Sequence, residues 1–213
     1  MTREHWDAVY NRGAANALSW YQPKARRSLD LIRRAAPTFD RPIIDVGGGA
    51  STLVDGLLAD GYTDVTVLDV SAAALTIARQ RLGRISERVH WLNADVLEPT
   101  LPAGRFAVWH DRAVFHFLTQ PDDRQRYLAR VRDALRPGGH AIVATFAADG
   151  PARCSGLEVV RYSPEALHNE FGPGFGLNAR EREEHITPSG AMQAFTYCVF
   201  EWTGEPSVRG CLA

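Results

Sequence analysis

The sequence predicts an α/β domain, a seven-stranded and mostly parallel sheet with helices on both faces and an antiparallel last strand pair. Three observations carry this. Short apolar runs rich in Val and Ile alternate with stretches of helical periodicity, as they do where helices cover a parallel sheet. One such run, Ile43–Val46, empties into three glycines, Gly47–Gly49, with a helix directly behind them. The next run ends on an acidic residue, Asp69, twenty positions after Gly49.

An arm, residues 1–22, comes first and carries Trp6, Tyr10, Trp20 and Tyr21. Pro23 opens a helix with Leu29 and Ile32 on one face, and Pro37 stops it. Strand one is Ile43–Val46, and the glycines lead into a helix that begins near Ser51. Strand two is Val65–Asp69, after which Ser71 is placed to cap a helix through Ala72–Arg81. Val89–Asn93 and Phe106–His110 read as strands three and four. Pro121 with Asp122 and Asp123 starts a helix that spaces Tyr127, Leu128, Val131 and Leu135 along one side. Pro137-Gly138-Gly139 ends it and turns into strand five, Ala141–Phe146. Residues 147–161 read as a loop, and Ser163-Pro164-Glu165 starts a short helix that Gly172 and Pro173 end. Strands around Leu177–Glu184 and Gln193–Trp202 complete the sheet.

The 213 residues suit one domain, expected over 1–204 with a mobile tail at 205–213. A formal net charge of −1 argues against nucleic acid or an anionic membrane as an obligatory partner, because both select for a basic excess. Arg26, Arg27, Arg33, Arg34 and Arg41 crowd the segment before strand one and read as a solvated helix face. The first ten residues hold no signal-type apolar run, and nowhere is there a run long enough to span a bilayer. Cys154, Cys198 and Cys211 are odd in number and lack CxxC spacing, so neither a disulfide framework nor a thiolate metal site is expected. A reducing, cytoplasmic setting follows as the expectation.

The chemistry is written around Asp45-Val46-Gly47-Gly48-Gly49. Glycine lets the chain turn sharply and lets a ligand approach where a Cβ would collide. An acid closing the next strand can accept hydrogen bonds from both ribose hydroxyls of an adenosine ligand. A dinucleotide fingerprint would need glycine at the sixth position from Gly47, where Thr52 stands, and there is no GxxxxGK[ST] segment.

Asp45-Val-Gly-Gly-Gly resembles motif I of the class I methyltransferases. Asp69, Asn93-Ala94-Asp95-Val96 and Leu135-Arg136-Pro137-Gly138-Gly139 continue the resemblance in the family's order, over about half the chain. Where the family often has a third glycine, this chain has the small Ser51. The resemblance implies a Rossmann-like sheet and S-adenosylmethionine as cofactor. Gly47 and Gly49 would underlie its methionine and ribose parts, and Asp69 would bind the ribose hydroxyls. Asp95 would accept from the adenine amino group, and Val96 would offer its backbone N–H. Asp45 would orient the glycine loop or meet the ammonium group through water.

Methyl transfer from a sulfonium is an in-line displacement that requires alignment, and a base only where the nucleophile holds its proton at neutral pH. Acceptor residues are expected after strands four and five and on the arm. Trp109-His110-Asp111-Arg112 resembles the aspartate-arginine element of thiopurine S-methyltransferase-like enzymes, which places Asp111 beside the cofactor and Arg112 beside the acceptor. His116 is the candidate general base, with a packed histidine as the other reading. Tyr21, Arg161 and His185 are candidate acceptor contacts. Trp6-Asp7-Ala8-Val9-Tyr10 resembles the WDxxY element of small methyltransferases that include protein-lysine enzymes; the arm reads as a lid or an anchor. The expected activity is methylation of a small-molecule thiol, phenol, hydroxyl or amine. A protein-lysine methyltransferase and a non-catalytic adenosine-binding module are the alternatives.

Overall fold

The computed structural model describes residues 2–98 and 101–204, so the tail expected at 205–213 lies outside the described residues. In chain order the elements are α1 (Arg3–Asn11), α2 (Arg26–Ala35), β1 (Ile43–Val46), α3 (Leu53–Asp60), β2 (Val65–Asp69), α4 (Ala72–Leu82), β3 (Val89–Asn93) and β4 (Phe106–Arg112). There follow α5 (Pro121–Ala134), β5 (Leu135–Phe146), β6 (Arg153–Cys154), β7 (Leu157–Glu158), α6 (Pro164–Phe171), β8 (Phe175–Ile186) and β9 (Met192–Trp202). The large sheet runs β3-β2-β1-β4-β5-β9-β8. Its first five strands pair in parallel, and β9 lies antiparallel between β5 and β8. This is the Rossmann-like sheet the sequence predicts.

Burial follows from the pleat. β1 and β2 are buried at every position, as strands covered on both faces must be. Ile43, Val65 and Val108 face a layer built with α2 and α3, where Leu29, Ile32, Leu57 and Tyr62 pack. Ile44, Leu68 and Trp109 point the other way, onto Tyr127, Leu128 and Val131 of α5 and Leu167 and Phe171 of α6. The strand order reverses between β1 and β4, so the two connections leave in opposite directions and open a crevice at the carboxyl edge of the sheet. Among the described residues no helix is long and apolar enough to cross a membrane.

Ser71 caps α4 as its position suggests, accepting from Ala74 N at 3.1 Å. Among the elements that differ from the expectation, β5 begins already at Leu135, a residue whose spacing predicts the helix before it. The arm contains a true helix, α1, capped by Thr2, whose Trp6 and Tyr10 stand one turn apart and bury together. The stretch read as a loop after β5 includes the β6–β7 hairpin, too short for a periodicity to reveal. β4 runs on to Arg112, because Asp111 and Arg112 continue the pairing with Val143 and Ala144 of β5.

That extension changes the meaning of Asp111. Its side chain is fully buried and accepts from Val114 N at 2.8 Å, Phe115 N at 3.0 Å and the Tyr127 hydroxyl at 2.6 Å. Tyr127 in turn accepts from Trp109 Nε1 at 2.8 Å. The expected cofactor contact is thus corrected: both carboxylate oxygens are spent on the turn after β4, and Asp111 lines neither cavity of the site. Arg161 is corrected too, since it is exposed and donates to Gly150 O at 3.2 Å, away from the crevice. Asp111→Ala is expected to lower unfolding free energy by about 2–4 kcal/mol, because it strands buried donors. Arg161→Ala should change it by less than about 0.5 kcal/mol. Urea denaturation of the two variants checks the contrast.

Candidate functional site

At the end of β1 the chain turns through left-handed backbone at Gly47 (φ 64°) and Gly49 (φ 44°). A Cβ on Gly47 would strike the Val114 side chain, and one on Gly49 would sit 2.8 Å from the Tyr10 hydroxyl and 2.9 Å from Asp69 Oδ2. Gly47 N and Gly48 N donate to Leu68 O at 2.7 and 3.2 Å, which fastens the turn to β2. The glycines therefore make the sharp turn, and Gly47, though not Gly49, borders a cleft of about 690 Å³.

Asp69 closes β2 on the cleft wall, 7% exposed. It accepts from Ser71 N at 2.7 Å. Burial, with smaller contributions from Asp45 and Asp7, pushes its pKa up to about 7. Asp95 and Val96 face the same cleft from the loop after β3, Asp95 accepting from Leu97 N at 2.9 Å. Leu68, Val70 and Ala94 line the wall between the two acids.

A second cavity of about 560 Å³ shares Tyr10, Trp20, Val46, Gly47 and Arg112 with the first, so the two adjoin at the glycine turn. Its walls include Ser28, Asp45, His110, Tyr21, Gln22 and Ser51. Asp45 Oδ1 receives His110 Nδ1 at 2.7 Å, and His110 Nε2 meets Ser28 Oγ at 2.9 Å. The sequence reading passed over His110 and Ser28, because a histidine inside an apolar strand and a serine inside a helix carry no motif.

The roof is aromatic. Trp6, Tyr10 and Trp20 from the arm meet Phe117 and Cys154 over the cleft, Trp6 lying edge-on to Trp20 and Phe117 with ring centroids 5.9 and 5.2 Å apart. Burial pushes the Cys154 thiol up to about 11, so it stays protonated at neutral pH. Arg112 lines both cavities and is held from three sides. It donates to Tyr197 Oη at 2.9 Å and Trp20 O at 3.1 Å, lies 3.5 Å from Glu183, and stacks 4.3 Å from the Phe195 ring centre. Gln22 Nε2 donates to Glu183 at 3.0 Å, and His185 Nε2 donates to Ser19 O at 2.7 Å. His185, expected as an acceptor contact, is therefore a tether that fixes the arm to β8 and does not line the cleft.

His116 needs the largest correction. It lies in a 3-10 turn, fully buried against Phe117 and Phe146, and lines neither cavity. Its Nδ1 accepts from Phe146 N at 3.3 Å. Desolvation, aided by Arg112, drives its pKa down to about 3, so it stays neutral and walled off from any acceptor in the cleft. Among the described residues no three His, Cys, Asp or Glu side chains gather as a metal site.

Residues 43–139 match the family described as "Methyltransferase domain", from the start of β1 into β5. A methyltransferase domain thus occupies just under half of the chain, and the activity that goes with it is S-adenosylmethionine-dependent methyl transfer. The methyltransferase is 24% identical over 192 residues to EEF1A lysine methyltransferase 2 of Danio rerio, covering 83% of this chain and 76% of that one. Among solved structures it is similar to the N-methyltransferase NodS from Bradyrhizobium japonicum WM9 in complex with S-adenosyl-L-homocysteine. That pair has TM-score 0.70 and 18% identity, over 92% of this chain and 97% of the other. A structure described as conversion of a disulfide bond into a thioacetal group during echinomycin biosynthesis reaches TM-score 0.73 at 20% identity, over 96% and 94% of the two chains. At these identities the likeness speaks for the fold.

The residues present fit the cofactor: side-chain-free turns for close approach, an acid at the end of β2, and a second acid after β3 on the same wall. Ribose hydroxyls would donate to the ionised form of Asp69. Affinity for S-adenosylhomocysteine is therefore expected to fall as pH drops below about 7, where the carboxylate takes up its proton. Asp69→Asn should weaken binding by about 1.5–3 kcal/mol and flatten that pH dependence. Calorimetric titration from about pH 6 to about pH 8.5 checks both.

Proposed function

We propose that this enzyme methylates a small-molecule acceptor whose reacting atom arrives with its lone pair already free: a thiolate, an ionised phenol or a neutral amine. The observation that carries the reading is the character of the cleft roof. It is built from Trp6, Trp20, Phe117, Val114 and Ala113, with Arg112 as its charged group, while the cleft's carboxylates Asp69 and Asp95 lie on the adenosine side. His116 is sealed in the core, and the Cys154 thiol is too weakly acidic to serve as a base. Such a roof desolvates and aligns an acceptor; it has little means of removing a proton.

Bound S-adenosylmethionine supplies an electrophilic methyl group on a sulfonium. Asp69, Asp95 and Val96 would hold its adenosine part, with the glycine turn left to the rest. The aromatic arm, fixed to β8 through Ser19 and Gln22 and to β4 through Trp20, excludes water from the reacting atoms. Arg112 favours an anionic or neutral acceptor over a cationic one.

A second reading, methylation of a protein lysine, draws on the relative that acts on EEF1A and on the Trp6–Tyr10 element. A lysine ammonium must lose its proton and would meet the positive charge of Arg112 on the cleft wall, which favours the first reading. Initial rates with labelled S-adenosylmethionine separate the two. Across a series of thiols and phenols, the apparent pKa of the rate is expected to follow the pKa of each acceptor. A single pKa shared by all of them would reveal a base on the enzyme. Transfer to EEF1A with none to the small acceptors would establish the second reading.

A further inference from the structure

The glycine turn is fastened at both ends, and the second fastening comes from outside the motif. Its first half hangs on β2 through Leu68 O. Its exit, at Ala50 and Ser51, presents two successive carbonyls that receive no backbone N–H among the described residues. Arg81, in the last turn of α4, meets both. Its Nη1 donates to Ala50 O at 2.8 Å and its Nη2 to Ser51 O at 2.6 Å. Asp55 of α3 braces the same guanidinium, accepting from Nε at 2.9 Å and from Nη2 at 2.6 Å. One planar group thus ties three segments, and its fork fits two neighbouring carbonyls as a point charge does not.

The hold reaches the glycines through the backbone. A peptide unit is planar, so fixing its oxygen also fixes its N–H. The unit that carries Ala50 O also carries Ser51 N–H, which donates to Gly48 O at 2.8 Å. Gly48 O belongs in turn to the unit that carries Gly49 N–H. Arg81 therefore sets the tilt of one peptide plane directly and of the next through a single hydrogen bond. At the opposite end of α4, Ser71 N donates to Asp69 Oδ1 at 2.7 Å. A Cβ on Gly49 would lie 2.9 Å from Asp69 Oδ2 and 3.4 Å from Ala74 Cβ, so turn, acid and helix meet closely there. One helix holds both the acid that closes β2 and the exit of the turn.

We infer that Arg81 is a positioning residue for cofactor binding: from the far end of α4 it clamps the Ala50 and Ser51 carbonyls and so fixes the glycine turn against Asp69. This rests on the cofactor site described above. Arg81 lines neither cavity, whereas Ala50 and Ser51 line the second. The side chains of Arg81 and Asp55 are 30% and 34% exposed, so their ion pair by itself contributes little. What the arginine adds is the orientation of the turn.

Calorimetry with S-adenosylhomocysteine on the full chain tests this. Arg81→Ala is expected to weaken binding about five- to tenfold. Arg81→Lys, with one charge centre for two carbonyls, should remain at least about threefold weak. Asp55→Ala removes the ion pair but leaves the carbonyl bonds, and should cost less than about twofold. Free guanidinium at low millimolar concentration should restore affinity to Arg81→Ala, where ammonium should not. Amide exchange over residues 47–52 of the unliganded protein should quicken in Arg81→Ala and stay slow in Asp55→Ala. If Arg81→Ala fails to fold, as judged by circular dichroism, the contrast between Arg81→Lys and Asp55→Ala carries the test alone. Unchanged affinity in the Arg81 variants would overturn the inference. An equal loss in Asp55→Ala, or rescue by ammonium as good as by guanidinium, would overturn it too, leaving only a charge effect. Wild-type protein that does not bind S-adenosylhomocysteine would instead overturn the cofactor reading itself.

Discussion

The carboxyl edge of the sheet depends on one close approach, between the turn that leaves β1 and the turn that leaves β4. Gly47 passes under the Val114 side chain with no room for a Cβ between them. Val114 is in turn held by its N–H on Asp111, and Asp111 by the Tyr127 hydroxyl from α5. A helix on one face of the sheet thereby fixes a turn on its edge, and that turn limits the path of the glycine segment. Both cavities of the site are bordered by Gly47, so the constraint sets where a ligand can lie against the backbone.

Three carboxylates near this edge show how surroundings divide the work of one chemical group. Asp111 has burial pushing its pKa up to about 6, yet its oxygens are met by a hydroxyl and two backbone N–H groups, and it holds the fold. Asp69 is pushed higher, to about 7, and faces the cleft with fewer partners, which suits a group that waits for ligand hydroxyls. Asp45 has one oxygen engaged by His110 and the other free of partners among the described residues. Unmet hydrogen-bonding capacity rises from the first of these to the last two, and only those two line the cavities.

Much of this was legible in the sequence because it is local. The β1 run, the glycines, Asp69 at the end of β2 and the Ser71 cap depend on neighbours a few residues away, and each stands where the pattern puts it. The misjudged residues have distant partners. Asp111 is engaged by Tyr127, His116 by Phe146 and His185 by Ser19, contacts separated by 16, 30 and 166 positions. A sequence offers a histidine near a strand end as a base, whereas packing decides whether that ring meets solvent. His110 did leave a signal. It is a polar residue inside the apolar run of β4, and in the parallel register of β1 and β4 it stands directly beside Asp45.

The central claim is that the crevice between β1, β2 and β3 holds the adenosine part of the methyl donor, with its amino-acid end turned past Gly47 toward the second cavity. A crystal structure of the protein with S-adenosylhomocysteine tests this most directly. The account predicts the ribose hydroxyls on Asp69, the adenine between Asp95 and Val96, and the amino-acid end past Gly47. Density for the ligand elsewhere, or with its amino-acid end under the aromatic roof of Trp6 and Trp20, would contradict it.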